Sequence, residues 1–319
     1  MLIGIEWAAS TPMPLPKLRG LHLFPRLLRP LIPAGTYLRL MPETLICPVY
    51  HIARETTPVW WNNRYRIKTL RELEQDLDWL LKLAVPVSLQ DLLDWQAGRR
   101  DRPRGWFLSF DDGYRELADD IAPLLKRKGI PATFFLRSSL IDNRSVFFED
   151  HVGWIAHALR SASSAARLAV AEILAKAGTS WERLLKSRVP QHSLLHEISQ
   201  VLNVHVDTWL KTEQPYLTSS QVRQLLDDGF TIGAHSVNHP LFSEIPLDQC
   251  IGQIQESLRE LDARFNLTSR VFAFPYGEFG LSASALQQLL QSSGAQMLFG
   301  TRGIVRDEYE PQLIQRLLA

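Results

Sequence analysis

The chain has 319 residues, 45% hydrophobic and 22% charged, with a formal net charge of +1; that length buries a full core without disulfides, as one large domain or two modest ones. The near-neutral charge argues against a nucleic-acid binder with a basic stripe, and no apolar run is long enough for a transmembrane helix. Two distant cysteines, Cys47 and Cys250, exclude a disulfide scaffold and a cysteine-ligated zinc site.

Residues 1–44 stand apart and hold seven of the prolines. Within them Leu21–Pro33 mixes leucines with Arg26 and Arg29, a composition suited to peripheral contact with a membrane surface. Pro25, Pro30 and Pro33 interrupt any continuous amphipathic helix, so an irregular N-terminal extension is expected. The opening MLIGIEWAAS lacks the basic-then-apolar order of a secretory signal, which points to the cytoplasm, with the inner membrane face as the site of any membrane contact.

From Leu45 strands and helices alternate. Leu45–His51 reads as a buried strand. Thr69 and Glu72 form a capping box for a helix to Leu83, with Leu70, Leu73, Leu77 and Leu80 on one face. Val85–Leu89 is a short strand, followed by a short helix ending near Gly98. Trp106–Phe110 is a strand, Arg115–Lys128 a helix stopped by Gly129, and Ala132–Leu136 a strand. Residues 142–217 read as almost wholly helical, a helical insertion. The alternation then resumes: a helix from Thr218 to Gly229, strand Phe230–Ala234, helix Asp248–Phe265, strand Val271–Phe274, helix Ser282–Ser292 and a last strand, Gln296–Thr301. Such alternation predicts a parallel α/β architecture, with function at the C-terminal ends of the strands.

Four candidate constellations sit at those ends. Asp111-Asp112-Gly113-Tyr114 follows the strand Trp106–Phe110. Two adjacent carboxylates suit one metal ligand and one proton acceptor, although either can equally cap the next helix or shape its turn. His235 and His239 follow the strand Phe230–Ala234. At a spacing of four they face one way on a helical turn, as a divalent ion requires; satisfaction by backbone carbonyls is the plainer alternative. In Phe274-Pro275-Tyr276-Gly277 the proline and glycine fix a loop whose tyrosine suits a sugar face, or the loop simply ends the strand. His51 ends the first strand, where a lone histidine is more often structural. The run Val59-Trp60-Trp61-Asn62 suits a sugar platform or the core.

Taken together these stretches resemble the polysaccharide deacetylase family, carbohydrate esterase family 4, also called the NodB-homology domain. WFLSFDDGYRELADDIAPLLKRKGIPATFFL (Trp106–Leu136) resembles its first block, GAHSVNHPLFSEI (Gly233–Ile245) its histidine block, and VFAFPYGEF (Val271–Phe279) its third. The resemblance implies a distorted (β/α)7-like barrel carrying the insertion. It implies a divalent metal, zinc first with cobalt or nickel as alternatives, held by Asp112, His235 and His239. It implies Asp111 as general base, the backbone N–H of Tyr114 at the oxyanion, and substrate contact at Pro275 and Tyr276. The partner implied is an N-acetylated glycan.

Two positions depart from the family pattern. Ala273 stands where many members have an arginine, and no histidine follows His239 to act as general acid. The early Tyr50-His51 and VPVSLQDLL (Val85–Leu93) are similar to the poly-N-acetylglucosamine deacetylase branch, which implies His51 as the acid. Arg316 resembles a late arginine of the family. The expectation is therefore N-deacetylation of an N-acetylated sugar in a polysaccharide or a glycan intermediate. Hydrolysis of a non-sugar amide at the same site, and a degenerate barrel that binds glycan without turnover, are the alternatives.

Overall fold

The structure is a computed structural model that describes residues 45–61, 65–304 and 309–319. The extension expected over residues 1–44, with its membrane-surface reading, lies outside the described residues, as does Asn62. Among the described residues no helix is long and apolar enough to cross a membrane.

The strands are β1 (Leu45–Ile46), β2 (Pro48–Tyr50), β3 (Pro86–Val87), β4 (Gly105–Asp112), β5 (Ala132–Leu136), β6 (Thr231–Ala234), β7 (Val271–Ala273), β8 (Met297–Gly300), β9 (Leu313–Gln315) and β10 (Leu317–Leu318). β2, β4, β5, β6, β7 and β8 stand side by side in that order, all parallel. β9 pairs with β8 and β10 with β2, so one segment, broken only at Arg316, brings the sheet round to near closure with seven strand positions. This is the distorted (β/α)7-like barrel expected. It corrects the expectation that Gln296–Thr301 is the last strand: β9 and β10 are too short to carry a period.

Alternate residues of β4 face opposite sides, as a pleated strand requires. Trp106, Leu108 and Phe110 pack into the layer beneath the helices. Phe107 packs inside the ring with Phe135, Val271 and Phe299. All eight residues of β4 are buried, which is why it reads as an apolar run, interrupted only by Ser109, up to its two terminal aspartates.

Helix α1 (Leu70–Leu83) opens with the Thr69–Glu72 capping box and α2 (Leu89–Gln96) with its Ser88–Asp91 counterpart. The helix expected from Arg115 instead begins as a π-turn, Leu117–Ile121, that runs into α3 (Ala122–Lys128). Two causes are local. Arg115 N–H is taken by Pro215 O at 2.8 Å, and Pro123 has no N–H to return to residue 119. Gly129 ends α3 in the left-handed region, φ 65°.

Between β5 and β6 the insertion folds as α4 (Phe148–Ser161), α5 (Ser164–Lys176), α6 (Trp181–Lys186), α7 (His192–Leu202) and α8 (Val206–Glu213). These helices build their own apolar cluster, joined by Trp60, Trp61 and Tyr114. α4 lies against the turn Val59–Trp61 so closely that a Cβ on Gly153 would meet Trp60 O at 1.7 Å. The barrel resumes with α9 (Ser219–Asp227), α10 (Leu247–Phe265) and α11 (Ala283–Ser292). Cys47, between β1 and β2, and Cys250, on α10, are buried free thiols. Burial pushes Cys47 up to about 12 and Cys250 up to about 11.

Candidate active site

The registers bring four strand ends to one level. Asp112 lies beside Leu136, Leu136 beside Ala234, and Ala234 beside Phe272. Asp111 continues the inward-facing row of Phe107 and Ser109. Asp112 would face outward, but its backbone is left-handed, φ 75°, and Gly113 follows at φ 92°. That turn brings both carboxylates of one dipeptide to one site. Ser236, His239 and Tyr276 are also left-handed, at 66°, 65° and 58°. Such strain in non-glycine residues gathers where geometry matters more than local comfort.

The two histidines do not sit on a helical turn, which corrects the sequence expectation. His235 N–H extends the ladder to Leu136 O at 2.9 Å, and a loop then reverses through the left-handed Ser236. Ser236 Oγ accepts from His239 N–H at 2.9 Å and shapes that loop. The rings converge nonetheless, with Nε2 atoms 3.2 Å apart. Asp112 Oδ1 is 3.7 Å from His235 Nε2 and 3.5 Å from His239 Nε2. It is buried and accepts no hydrogen bond from the described residues.

Burial lowers the pKa of His235 despite the neighbouring aspartates. Burial, with Arg137 and other cations nearby, holds His239 well below the ordinary histidine range. Both rings are therefore neutral and offer lone pairs. A buried carboxylate oxygen without a partner, facing two neutral imidazole nitrogens, fits a divalent cation and little else. The three donor atoms lie within 4.8 Å of one another, and no other group of three His, Cys, Asp or Glu among the described residues converges as closely.

Asp111 is held differently. Arg316, fully buried at the break between β9 and β10, donates to it through Nη1 at 2.6 Å and Nη2 at 2.8 Å. Nη1 also reaches Ser109 Oγ at 3.1 Å, and Nε donates to Gly300 O at 3.3 Å. Burial raises the Asp111 pKa, but Arg316 and His235 more than offset it, so the carboxyl lies below its ordinary value and stays ionised. Ala273 offers no guanidinium, and the one beside Asp111 comes from the break between β9 and β10. The sequence marked Arg316 as resembling a late family arginine, inside the apolar LIQRLL, but not its contact with Asp111.

A cavity of about 500 Å³ opens onto these groups, lined by His51, Asp111, Asp112, His235, His239 and Tyr276 among others. His51 directly follows β2 and shares this cavity with Asp111 and His239. Pro275 and Tyr114 do not line the cavity. The Tyr114 ring points into the insertion, where its hydroxyl donates to Asp150 Oδ1 at 3.0 Å. Trp60 and Trp61 are buried core residues of that cluster and stand apart from the cavity. The insertion supplies lining residues that the sequence reading did not single out: Phe148, Glu149, Val152, Leu184 and Arg188. Arg188 stacks its guanidinium 4.9 Å from the Tyr276 ring centre.

The profile described as "Polysaccharide deacetylase" matches residues 98–297. The chain belongs to the polysaccharide deacetylase family and is a hydrolase of carbon–nitrogen bonds other than peptide bonds. No curated protein sequence matches it. Its fold is similar to IcaB from Ammonifex degensii, with a TM-score of 0.55 at 18% identity over 87% of this chain and 92% of that one. It is also similar to the deacetylase PplD of Streptococcus pyogenes, solved with acetate (0.56, 15%, 86% and 92%), and to the deacetylase domain of BpsB from Bordetella bronchiseptica (0.52, 17%, 87% and 96%).

Proposed function

We propose that this protein removes acetyl groups from N-acetylated sugar residues of a glycan, using a divalent ion held by Asp112, His235 and His239. The observation that carries the proposal is the orphaned Asp112 Oδ1 facing two neutral imidazoles. Zinc, or cobalt or nickel in its place, would polarise the acetamide carbonyl and acidify a water molecule there. Asp111, kept ionised by Arg316, takes the proton of the attacking water. The Tyr114 backbone N–H stabilises charge on the acetamide oxygen. His51 protonates the departing amine. Tyr276, wedged between His239 and Arg188, flanks the sugar, with Pro275 fixing its loop. Acetate and a free amino sugar leave.

Acetate release from short N-acetylglucosamine oligomers tests this reading, with metal-stripped protein and after zinc, cobalt or nickel is restored. Release that depends on the ion is the expected result. Uptake of an ion without release from any N-acetylated sugar would transfer the activity to a different amide.

A further inference from the structure

The two histidines of the site present Nε2 to Asp112 and turn Nδ1 outward, but their outer neighbours differ. His235 Nδ1 is 2.8 Å from the backbone oxygen of Ala273, a neutral acceptor within the barrel. His239 Nδ1 is buried and makes no hydrogen bond among the described residues. It faces Glu149 Oε1 across 3.8 Å. Glu149 lies in the first turn of α4, and its side chain is only 12% exposed. The same Oε1 accepts from the hydroxyl of Tyr276. Tyr276 in turn sets its ring 4.6 Å from that of His239. One carboxylate of the insertion thus meets two barrel loops, those following β6 and β7.

A metal-ligating imidazole binds best when its other nitrogen donates to a carboxylate, which fixes the ring and raises its basicity. We propose that Glu149 is the outer carboxylate of the ion site. It orients His239 through Nδ1, directly or across one water, and clamps Tyr276 over the same ring. Glu149 is a positioning residue here, acting through His239. The inference rests on Asp112, His235 and His239 being the ion's ligands. It makes the insertion a working part of the centre, because ion affinity then depends on α4 being docked.

Zinc affinity, measured by competition with a chromogenic chelator on the full-length protein, tests the inference. Glu149→Gln keeps the volume and one acceptor oxygen and removes the charge. It is expected to weaken zinc binding about 10–100-fold. Asp150→Asn disturbs the same helical turn without touching His239 and is expected to leave zinc affinity unchanged. Wild-type zinc affinity in Glu149→Gln overturns the inference alone. Equal loss in both variants also overturns it, since the effect is then one of packing. Wild-type protein that takes up no zinc overturns the metal-centre reading and this inference with it.

Discussion

Every residue of β4 and β5 is buried, whereas in α5 of the insertion only Val170, Ile173 and Leu174 are. A barrel strand is enclosed on both faces, so the groups at its end are aimed by a rigid frame. An insertion helix packs along one stripe and leaves the rest to solvent. The two regions divide the labour accordingly. Asp111, Asp112, His235 and Arg316, the polar groups gathered at the strand ends, come from strands or the residues just beyond them. One wall of the cavity, and the Glu149 carboxylate that meets the Tyr276 hydroxyl and faces the His239 imidazole, come from the insertion. The difference teaches that pocket shape can change through the insertion while the reacting groups stay in place, except where Glu149 and Asp150 join the two.

The largest expected effect lies on the barrel side. Asp111→Asn removes the proposed proton acceptor and should lower the deacetylation rate about 10²–10⁴-fold, read as acetate release at saturating ion. Arg316→Gln comes next. It leaves Asp111 buried without its counter-charge, a loss of about 3–5 kcal/mol in denaturant unfolding. The carboxyl pKa lies below its unfolded value, so the stability it contributes is present above that value and lost as pH falls through the folded one. With Arg316 gone, burial wins, and the acid limb of the pH–rate profile should move to higher pH.

The insertion carries its own acid sensitivity. Burial, with His192 and His196 nearby, lowers His151 from 6.5 to about 4. Its neutral ring lies 2.7 Å from Ser199 Oγ. The unfolded chain takes up that proton first, so stability is intact above 6.5 and falls as pH drops towards 4. The loss approaches roughly 3 kcal/mol at the acid end. Thermal melts across this range should be flatter for His151→Gln than for wild type. An identical pH dependence would place the acid sensitivity in the barrel histidines instead.

Asp150→Asn should have the smallest effect. Asp150 accepts from Tyr114 Oη at 3.0 Å and Tyr216 Oη at 2.6 Å. Weakening these two bonds should cost roughly 1.5–3 kcal/mol and lower kcat more than it raises KM, because the backbone N–H of Tyr114 is the proposed oxyanion donor. Unchanged kcat with the same stability loss would confine Asp150 to holding the insertion.

Much of this was legible in the chain. β4, β5 and β6 read correctly because apolar runs end at Asp111-Asp112, Leu136 and His235, and two helix starts declared themselves through Thr69 and Thr218, whereas Ser88, the cap of α2, falls inside the strand expected to run to Leu89. What escaped has physical reasons. The left-handed turns at Asp112, Ser236 and His239 leave no mark in residue type, so a helical turn was the natural reading of a spacing of four. Arg316 is singled out by resemblance but its role is not, because it sits between strands of three and two residues and its partner lies 205 positions away. Glu149 looks like any acidic residue in a first helical turn, where the helix dipole alone would explain it. Only the docking of α4 on two barrel loops gives it another purpose.

The placement of the two thiols gives the protein a built-in clock. Cys47 joins the first strands of the barrel and Cys250 lies on α10; the insertion has none. A buried, protonated thiol is inert to alkylating reagents until the structure around it opens. Labelling kinetics on the natural sequence therefore time the opening of the barrel alone, strand side and helix side separately, while the insertion remains silent. Whether ion loading slows one thiol or both would reveal how far the centre braces the ring, without any engineered probe.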